Sequence, residues 1–471
     1  MAFADCDELD VFLEQNPDIQ LLELLMPDIN GILRCKRIQR REFASLFNAD
    51  FSVPKSVPFL GIRGNMYEGL SQSIIGGDPD QTLRPISGTL ARVPWYDSPV
   101  AQVLTGFADT QGGFSWIDPR STIVSVLDYF REDGLSPVVA TELEFYLLQD
   151  NEVGLGARPE RLTGRIPGTD MQQDGIQYCM PDDLFDCDHF LNDVREACEL
   201  QSVPLTAIHS EFSPGQWEIN THHQEDAIVA GDHAMLLRRV VKAVARRHGI
   251  AATFMAKPFD DSAGSGLHIH TSVYDEAGDN VFADSDAGAD AGVAGGQDPR
   301  LMPRLRNAVG GLVASLDEGM ALFAPNPNSY RRFKAGAFAP SGPSWGYDHR
   351  EASLRIPVSS ESNRRIEHRV AGADANPYLV LAAVLAGVHS GLRSGADPGE
   401  PIPREADLSN AVVTLPVRLD AALDLFRCSA MLPAYLGVEY SQAYAALRQS
   451  ECDDYHGRVT DLDYKWFLRA I

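Results

Sequence analysis

Ionisable and apolar residues alternate in two segments of this sequence, and this alternation constrains the fold more than any other feature. The segment "TELEFYLL" places Glu142 and Glu144 two residues apart, and "AGSGLHIHTSV" does the same with His268 and His270. In a β-strand, residues i and i+2 point to one face of the sheet. Each segment alone also fits a half-buried strand with hydrogen-bonded histidines, or a solvated edge strand. Together they predict strands that turn ionisable side chains toward a shared space.

Two further segments add carboxylates in apolar settings. "HSEFSPGQWEIN" contains Glu211 and Glu218 on either side of a Ser-Pro-Gly turn, and "RIEHRV" contains Glu367 and Arg369. Like charges gathered in a partly buried site repel each other and lose hydration, so they need neutralising cations. Carboxylates with one imidazole suit Mg²⁺ or Mn²⁺, whereas structural zinc favours thiolates and several histidines. These acids therefore predict a divalent-metal site.

Arginines are concentrated in the span from Tyr330 to Arg369. The set consists of Arg331, Arg332, Arg350, Arg355, Arg364, Arg365 and Arg369. Isolated arginines commonly form surface salt bridges, but these are interleaved with Glu367 in a chain rich in acid. Metal together with arginine is the equipment of phosphoryl transfer, where the charge of the transferred group must be neutralised. The sequence has no GxxxxGK[ST] loop, no Gly-rich kinase loop and no GxGxxG in a βαβ context, so any nucleotide site is built differently.

Composition excludes several classes of partner. The sequence has 66 Asp and Glu against 40 Lys and Arg, a net charge of −26, which argues against nucleic acid or an anionic membrane as a partner. Its 7 cysteines form no CxxC pair and are odd in number, so we expect a reducing cytoplasm. The acidic opening "MAFADCDELDVF" does not predict a secretion leader. The longest apolar stretch, residues 378–388, is too short to span a bilayer and predicts a buried helix.

The first part of the chain predicts a small β-rich domain. Residues 8–16 have a helical pattern, and the "DING" turn at 28–31 lies between two strand-like runs, which indicates a hairpin. Residues 51–111 are rich in Gly, Pro and Ser with short apolar runs, which favours strands and loops. We place a domain boundary near Gly113, with the first domain over 1–113.

The remainder, residues 114–471, predicts an α+β domain. It begins with "WIDPRSTIVSVLDYFRED", where Asp118 can cap a helix. Strands such as "SPVVATELEFYLL" then alternate with helices such as "DHFLNDVREACEL" and "DHAMLLRRVVKAVARRHG". Two segments of low complexity or high Pro and Gly content, residues 283–299 and 393–410, predict surface loops.

Five motifs in fixed order connect these features to a known family. "ELEF", "SPGQWEIN", "GSGLHIHTS", "NSYRRF" and "RIEHRVAGADANPYL" resemble the glutamine synthetase superfamily over essentially the whole chain. The resemblance implies an N-terminal β-grasp-like domain followed by a catalytic domain of helices around a curved, mainly antiparallel sheet. It also implies a homo-oligomer of stacked rings, expected to be a dodecamer, with active sites between subunits.

Carried over position by position, the resemblance implies specific roles. One metal is expected on Glu144, Glu211 and Glu218, and a second on Glu142, His268 and Glu367. The ATP-binding positions are His270, Ser272, Arg350, Arg355 and Arg365. The glutamate-binding positions are Gly264, Arg332 and Arg369. The positions expected to act in catalysis are Arg350, Arg369 and Glu367.

The chemistry implied by the resemblance is a two-step ligation. The γ-carboxylate of L-glutamate attacks the γ-phosphate of the co-substrate ATP, and an amine then attacks the resulting γ-glutamyl phosphate. Activation is needed because a carboxylate is a poor acyl donor. Two or more Mg²⁺ or Mn²⁺ ions per site, together with the arginines, offset the charge of two anions brought together.

The segment after "NSYRRF" departs from the ammonium-using members of the superfamily. Phe338 stands where those enzymes have a glutamate, and Leu60 stands where an aspartate is expected. Charges must hold an ammonium ion, whereas each methylene of an organic amine can be buried with a gain of about 0.8 kcal/mol. Phe338 therefore predicts an alkylamine substrate. Trp345 and Tyr347 are candidates for the same pocket, with ordinary core aromatics as the alternative.

Within the superfamily the sequence most resembles the γ-glutamylputrescine (γ-glutamylpolyamine) synthetases of polyamine catabolism. The segments "ATFMAKPF", "SWG" and "RVAGADANPYL" carry this resemblance. The same chemistry with ammonium, ethanolamine, methylamine or another monoamine is an alternative, because sequence does not show the shape of the pocket. A non-catalytic structural or regulatory relative is a further alternative. Loss of metal ligands would mark such a relative, and all the metal positions are present here.

Overall fold

The computed structural model of this 471-residue chain describes residues 3–67, 70, 76–149, 159–164, 166, 168–169, 171, 177–283, 303–334, 339–408 and 411–471. Two β-sheets and the helices packed on them make up this part of the chain. One continuous cluster of buried apolar side chains runs through both sheets and their helices.

The first sheet is formed near the start of the chain. Its strands are β1 (Leu21–Pro27), β2 (Leu33–Gln39), β3 (Ser52–Pro54), β4 (Asp80–Pro85), β5 (Ala91–Arg92) and β6 (Val100–Phe107). The strand order is β2–β1–β6–β4–β3, and β5 pairs with β6. β1 and β6 are parallel, and the other described pairs are antiparallel.

The predicted hairpin at "DING" is confirmed, and the reason is local. Asp28 is fully buried, and its Oδ1 accepts hydrogen bonds from the backbone N–H groups of Asn30 and Ile32 at 2.9 and 2.8 Å. Gly31 has a φ of 74°, which glycine adopts without a steric penalty. The turn thus satisfies its own polar groups and joins β1 to β2.

The second sheet is larger and carries most of the predicted site residues. Its strands are β7 (Leu135–Gln149), β8 (Leu205–Ser210), β9 (Gln216–Thr221), β10 (Ile250–Thr253), β11 (Leu267–Asp275), β12 (Trp345–Tyr347), β13 (Leu354–Ile356) and β14 (Ile366–His368). The order is β12–β13–β14–β11–β7–β9–β8, and β10 pairs with β7. β12 and β13 are parallel, and the other described pairs are antiparallel.

The helices are divided between the two sheets: those before residue 50 lie beside the first sheet, and later ones such as residues 120–132 and 227–247 pack on the second. They are α1 (Cys6–Gln15), α2 (Phe43–Phe47), α3 (Arg120–Glu132), α4 (Pro181–Asp186), α5 (Asp188–Leu200), α6 (Ala227–Arg247), α7 (Pro303–Phe323), α8 (Pro377–Ser394), α9 (Leu419–Cys428), α10 (Met431–Leu436), α11 (Val438–His456) and α12 (Asp461–Phe467). Short 3-10 helices span Arg40–Glu42, Val57–Phe59, Ser329–Arg332 and Glu361–Asn363.

Helices α7 and α8 pack closely because glycines replace side chains where they meet. A Cβ on Gly311 would lie 2.2 Å from the carbonyl oxygen of Gly387, so the two backbones approach each other without an intervening side chain. The apolar run at 378–388 lies in α8 and is buried, as predicted. No helix in the described ranges has the length and apolarity needed to cross a membrane.

The region between the two sheets contains the predicted domain boundary. The first sheet ends at Phe107 and α3 begins at Arg120, whose backbone N–H donates to Asp118 Oδ1 at 2.9 Å. The boundary near Gly113 falls between these elements, and the division into two domains stays a prediction. Of the two predicted loops, residues 284–299 lie outside the described residues. The described part of the other is 393–408: its first two residues belong to the last turn of α8, and 395–408 contain no helix or strand.

Candidate active site

Strand register brings the predicted acids of β7 together with residues of its two neighbours. Glu142 lies opposite His268 on β11, and Glu144 lies opposite Glu218 on β9. Along the central part of β7 the alternate positions are buried, and the two glutamates occupy the partly exposed positions between them. The period-2 pattern therefore places these ionisable side chains on the face of the sheet that is turned away from the apolar core.

Strands β14 and β13, on the other side of β11, extend the same row. On β14, Glu367 lies opposite His270 of β11 on one side and Arg355 of β13 on the other. Glu367 is only 1% exposed. A carboxylate this deeply buried must be paired, and both of its oxygens face guanidinium groups. Arg355 Nη1 donates to Oε2 at 2.8 Å, and Arg369 Nη1 donates to Oε1.

One group of candidate metal ligands forms around Glu211 and Glu218. Glu211 lies in the turn after β8, and its Oε1 is 3.2 Å from His209 Nε2. Glu218 Oε1 is 3.8 Å from the same nitrogen. Donor atoms of these three residues lie within 4.8 Å of one another. Glu144, the third predicted member, is turned toward Gly266 and accepts its backbone N–H at 2.8 Å.

A second group forms around Glu142. Its carboxylate is hydrogen-bonded to His270 Nε2, and its Oε2 lies 3.7 Å from His268 Nδ1. His268 Nδ1 is also 3.8 Å from Glu367 Oε1. Donor atoms converge in the combinations Glu142–His270–Glu367 and Glu142–Glu218–His268. All six predicted metal ligands therefore lie in one region. The groups of converging donor atoms differ from the predicted triplets, because they include His209 and His270 and leave out Glu144.

The protonation of these acids reflects how they are paired. Burial, and after it the charges of three neighbouring carboxylates, raises the pKa of Glu218. Burial also raises the pKa of Glu144. Burial opposes ionisation of Glu142, but its interactions with the imidazoles of His268 and His270 outweigh burial and hold its pKa well below the usual range. The protein groups alone thus leave part of the cluster protonated, whereas a divalent cation would favour the ionised form.

The donor set fits divalent metal ions. Five carboxylates supply the hard oxygen ligands that Mg²⁺ and Mn²⁺ prefer. His268 is 5% exposed, and its Nδ1 has no hydrogen-bond partner among the described residues. A buried imidazole nitrogen without a partner costs free energy unless a ligand uses it. The residues that would hold metal are Glu142, Glu144, Glu211, Glu218, His268 and Glu367.

Gly264 and Arg332 meet at the edge of this group. A Cβ on Gly264 would lie 2.5 Å from Arg332 Cγ and 2.8 Å from the carbonyl oxygen of Ala256. Arg332 is 5% exposed, its Nη1 donates to the carbonyl of Val370 at 3.0 Å, and its Nε has no partner in the described part of the chain. The missing side chain at position 264 therefore makes room for a buried guanidinium with a free donor.

These residues surround a cavity of about 570 Å³. Predicted residues on its wall are Glu142, Glu144, Glu211, Glu218, Gly264, His268, Arg332, Arg350, Arg355, Glu367 and Arg369. This volume lies within the range of roughly 300–1,000 Å³ that holds small-molecule ligands. The wall combines acids and arginines, so it can bind a metal and an anion side by side.

Three of the predicted ATP positions lie beside the cavity wall. His270 Nδ1 accepts a hydrogen bond from Arg365 Nε at 3.3 Å. The Ser272 hydroxyl donates to the carbonyl oxygen of Arg364 at 3.0 Å. Both interactions connect β11 to the segment before β14, so His270, Ser272 and Arg365 extend the row of polar side chains beyond the metal-binding region.

The residues predicted to line an amine pocket are not among the described residues of the cavity wall. Phe338 lies outside the described residues. Trp345 and Tyr347 are not on the cavity wall as described; Trp345 is 2% exposed in the core, with its ring 5.7 Å from that of Tyr347. The short strand β12 turns Trp345 inward, an orientation that three residues of sequence do not specify. The assignment of all three to an amine pocket stays a prediction.

Sequence reasoning missed four polar residues on the cavity wall as described: Tyr178, His209, Gln216 and Asn220. His209 precedes Glu211 by two residues in a strand-like run, the same spacing that identified Glu142 and Glu144, so its signal was present. Tyr178 also lines the cavity, with its ring 6.0 Å from that of His209. Nothing in the residues around Tyr178 indicated this position, because the contact joins distant parts of the chain.

The fold and the site define the class of this protein. A family profile described as glutamine synthetase, catalytic domain, matches residues 116–467. The chain therefore belongs to the glutamine synthetase family and has its catalytic fold, with helices around a curled sheet. Membership makes the chain a carbon–nitrogen ligase and implies that ATP and divalent metal ions take part.

Individual relatives match over nearly the whole chain. γ-Glutamylputrescine synthetase PuuA of Escherichia coli (strain K12) is 36% identical over 467 residues, which cover 98% of this chain and 94% of the relative. Glutamate–isopropylamine ligase of a Pseudomonas species is 30% identical over 465 residues, covering 98% and 97%. The solved structure of ligand-free GmaS has a TM-score of 0.78 at 25% identity, covering 97% of this chain and 99% of that one.

Proposed function

We propose that this chain joins the γ-carboxylate of L-glutamate to an amine while ATP is converted to ADP and phosphate, and that the amine is putrescine or a related polyamine. The observation that carries the proposal is the convergence of five carboxylates, His268 and four arginines on one cavity of about 570 Å³. Acids that bind divalent cations and arginines that bind phosphoryl oxygens are both needed to bring ATP and a second anion together.

The proposed reaction proceeds through γ-glutamyl phosphate. The γ-carboxylate attacks the γ-phosphorus of ATP and ADP leaves; the amine nitrogen then attacks the acyl carbon and phosphate leaves. Mg²⁺ or Mn²⁺ ions, two or more per site, would neutralise phosphoryl charge when bound. The residues proposed to hold them are Glu144, Glu211 and Glu218 for one ion, and Glu142, His268 and Glu367 for another.

Arginines are proposed to bind the anionic parts of both substrates. Arg369 and Arg355 already point at Glu367, so they stand beside the group that would hold metal and phosphate. Arg350 lines the same cavity and is proposed to stabilise charge on the transferred phosphoryl group. Arg365, through its contact with His270, is proposed to bind near the ATP phosphates, with Ser272 further along β11.

The glutamate substrate is proposed to bind beside Gly264. The buried guanidinium of Arg332 has an Nε–H that no described residue accepts, and it can bind a carboxylate by charge-assisted hydrogen bonds. Arg369 is within reach of the same cavity and is the second proposed glutamate ligand. Holding the substrate between fixed cations would place its γ-carboxylate against the metal-binding acids.

The amine is proposed to enter near Ala339. This residue lines the cavity, and Phe338 directly precedes it in the sequence. An aromatic side chain can bury the methylenes of an organic amine but offers no charge for ammonium. The relative with 36% identity is named for putrescine and another for isopropylamine, so an alkylamine is favoured and a monoamine is the second candidate. Trp345 and Tyr347 complete the proposed pocket only if that region rearranges.

The assembly and the location of the protein are also proposals. Residues 1–113 are proposed to form a β-grasp-like domain, in keeping with the six-stranded first sheet. A homo-oligomer of stacked rings, twelve subunits by family resemblance, would complete each active site between neighbours. A cytoplasmic location is consistent with the 7 cysteines, all of which are free.

Phosphate release tests the choice of amine. Wild-type protein with ATP, glutamate and Mg²⁺ is given putrescine, cadaverine, spermidine, isopropylamine, ethanolamine, methylamine or ammonium in turn. We expect the highest kcat/KM with a diamine or polyamine. Preference for ammonium would refute the proposed amine, whereas absence of phosphate release with every amine would refute the ligase reaction itself.

A matched pair of variants tests Phe338. Phe338→Glu is expected to raise kcat/KM for ammonium relative to that for putrescine, because a carboxylate can hold the smaller cation. Phe185→Glu makes the same change at a side chain that is 82% exposed and away from the cavity wall. In this control the ratio of kcat/KM for ammonium to kcat/KM for putrescine should equal that of the wild type. An unchanged ratio in Phe338→Glu would remove this residue from the amine pocket.

A further inference from the structure

A second cavity, of about 870 Å³, lies between the first sheet and the helices of the second. Its wall includes the hairpin turn at 30–33, Trp95 and Tyr96 on one side, and the second half of α6 with residues 253–255 on the other. It shares no wall residue with the candidate active site. We call it the basic cavity because its wall carries a set of cations: Arg238, Arg239, Lys242, Arg246, Arg247 and Arg448.

Three of these six cations form no salt bridge with the described residues. Arg239 is paired with Glu23, Arg247 with Asp97, and Arg448 with Glu451. No salt bridge among the described residues includes Arg238, Lys242 or Arg246. They stand four residues apart on α6 and so share one face of the helix, where like charges at this spacing destabilise it. In a chain with a net charge of −26, such a cluster is a specific local feature.

Arg238 is the deepest of the three. It is 8% exposed, and its Nη2 donates to the carbonyl oxygen of Ala375 at 2.6 Å. Its Nε has no hydrogen-bond partner in the described ranges. Burial lowers the pKa of Arg238 to about 10, although the carboxylate of Asp374 opposes this shift. A buried cation with an unused donor costs free energy that a bound anion would recover.

The cavity also offers an apolar surface beside these charges. The Arg238 guanidinium lies 5.9 Å and the Lys242 ammonium 5.7 Å from the centre of the Phe254 ring. Desolvation, followed by the charges of Arg238 and Arg246, lowers the pKa of Lys242. Trp95 and Tyr96 line the opposite side. A ligand with a charged end and an apolar or flat body would satisfy both kinds of surface.

Acids on the wall do not cancel this charge. Glu451 is committed to Arg448 at 2.5 Å. Asp374 Oδ2 accepts hydrogen bonds from Asn326 Nδ2 at 2.8 Å and from the Ser329 hydroxyl at 2.7 Å. These two acids stand against six cations on the wall. The wall as described is therefore positive.

We propose that the basic cavity is a binding site for a small organic anion, with carboxylate or phosphoryl groups on an apolar or aromatic body. Arg238 donates to the anionic group from the floor, Lys242 and Arg246 bind it from the mouth, and Phe254 packs against the body. The site is distinct from the proposed catalytic cavity. Guanidinium and ammonium groups donate hydrogen bonds to carboxylates and to phosphates alike, so the binding experiment has to compare the two kinds of anion.

Isothermal titration calorimetry on the full-length chain tests this site. The probes are citrate for a polycarboxylate, AMP for a phosphoryl group on an aromatic body, and inorganic phosphate for the anion without a body. We expect citrate or AMP to bind more tightly than phosphate. Lys242→Gln/Arg246→Gln is expected to weaken binding about tenfold or more, because hydrogen bonds to charged groups are lost. Arg238→Gln should weaken it further.

Two controls locate the bound anion. Arg131→Gln removes an arginine whose side chain is 74% exposed on α3, outside the basic cavity, and should leave affinity unchanged. Arg369→Gln removes a cation of the candidate active site and should also leave affinity unchanged. Equal weakening in Arg369→Gln would place the anion in the catalytic cavity. Three results would overturn the proposal. The first is that the wild type binds none of the probes, and the second is that the double variant binds them with wild-type affinity. The third is that the double variant changes only in oligomeric state, because this would place a neighbouring subunit in the basic cavity.

Discussion

Adding one methyl group at Gly264 is expected to impair glutamate binding while leaving the metal ligands in place. The Cβ of Gly264→Ala would lie 2.5 Å from Arg332 Cγ and 2.8 Å from the carbonyl oxygen of Ala256. Distances under about 3 Å require movement, and the carbonyl belongs to the backbone, so Arg332 has to move. Overpacking of this kind costs about 1–3 kcal/mol. If that cost falls on the glutamate complex, kcat/KM for glutamate drops by about 5- to 150-fold.

Initial rates of phosphate release against glutamate concentration measure this effect. KM for glutamate should rise while KM for ATP changes little. Gly113→Ala is the matched control, because its Cβ would meet no atom nearer than the flexible Asp109 carboxylate, at 3.3 Å. A Gly264→Ala enzyme with wild-type KM for glutamate and wild-type thermal stability would refute the placement of glutamate beside Arg332.

Three further changes test the fold. Arg120→Met leaves the fully buried Asp232 carboxylate without its partner at 2.7 Å and should destabilise the protein by about 3–5 kcal/mol, seen as a lower urea midpoint. Gly311→Ala pushes a Cβ to 2.2 Å from the Gly387 oxygen and should lower the melting temperature by separating two helices. Burial lowers the pKa of His233 from 6.5 to about 4, so the unfolded chain takes up this proton first and stability falls as pH drops through that range. His233→Gln should reduce this loss of unfolding free energy at low pH by up to about 3 kcal/mol. If the free energy of unfolding of the variant depended on pH as that of the wild type does, the lowered pKa of His233 would be contradicted.

Local patterns predicted much of the fold. The helix "DHFLNDVREACEL" corresponds to α5, and the alternation in "TELEFYLL" placed Glu142 and Glu144 on one face of β7. These features depend on periodicity within one segment, which a sequence carries directly. The gathering of acids and histidines was also predictable in part, because Glu142 and Glu144, and likewise His268 and His270, are two residues apart in strand-like runs.

Contacts between distant segments were not predictable in the same way. The metal-binding groupings include His209 and His270, because which donor atoms converge depends on register and rotamers across several strands. Trp345, a candidate for the amine pocket with a core aromatic as the alternative, is 2% exposed, and its direction is set by the neighbours of a three-residue edge strand. The close approach of Gly264 to Arg332 joins residues far apart in sequence and is visible only in the fold.

The most direct test of the central claim is phosphate release from ATP with glutamate, Mg²⁺ and putrescine in Glu144→Ala and Glu367→Ala, with size-exclusion chromatography of each variant. If these carboxylates hold the metal that neutralises phosphoryl charge, turnover should fall by at least about 10²- to 10³-fold while the elution volume equals that of the wild type. Full turnover by either variant in metal-depleted buffer resupplied with Mg²⁺ alone would contradict the assignment of these residues to the metal sites.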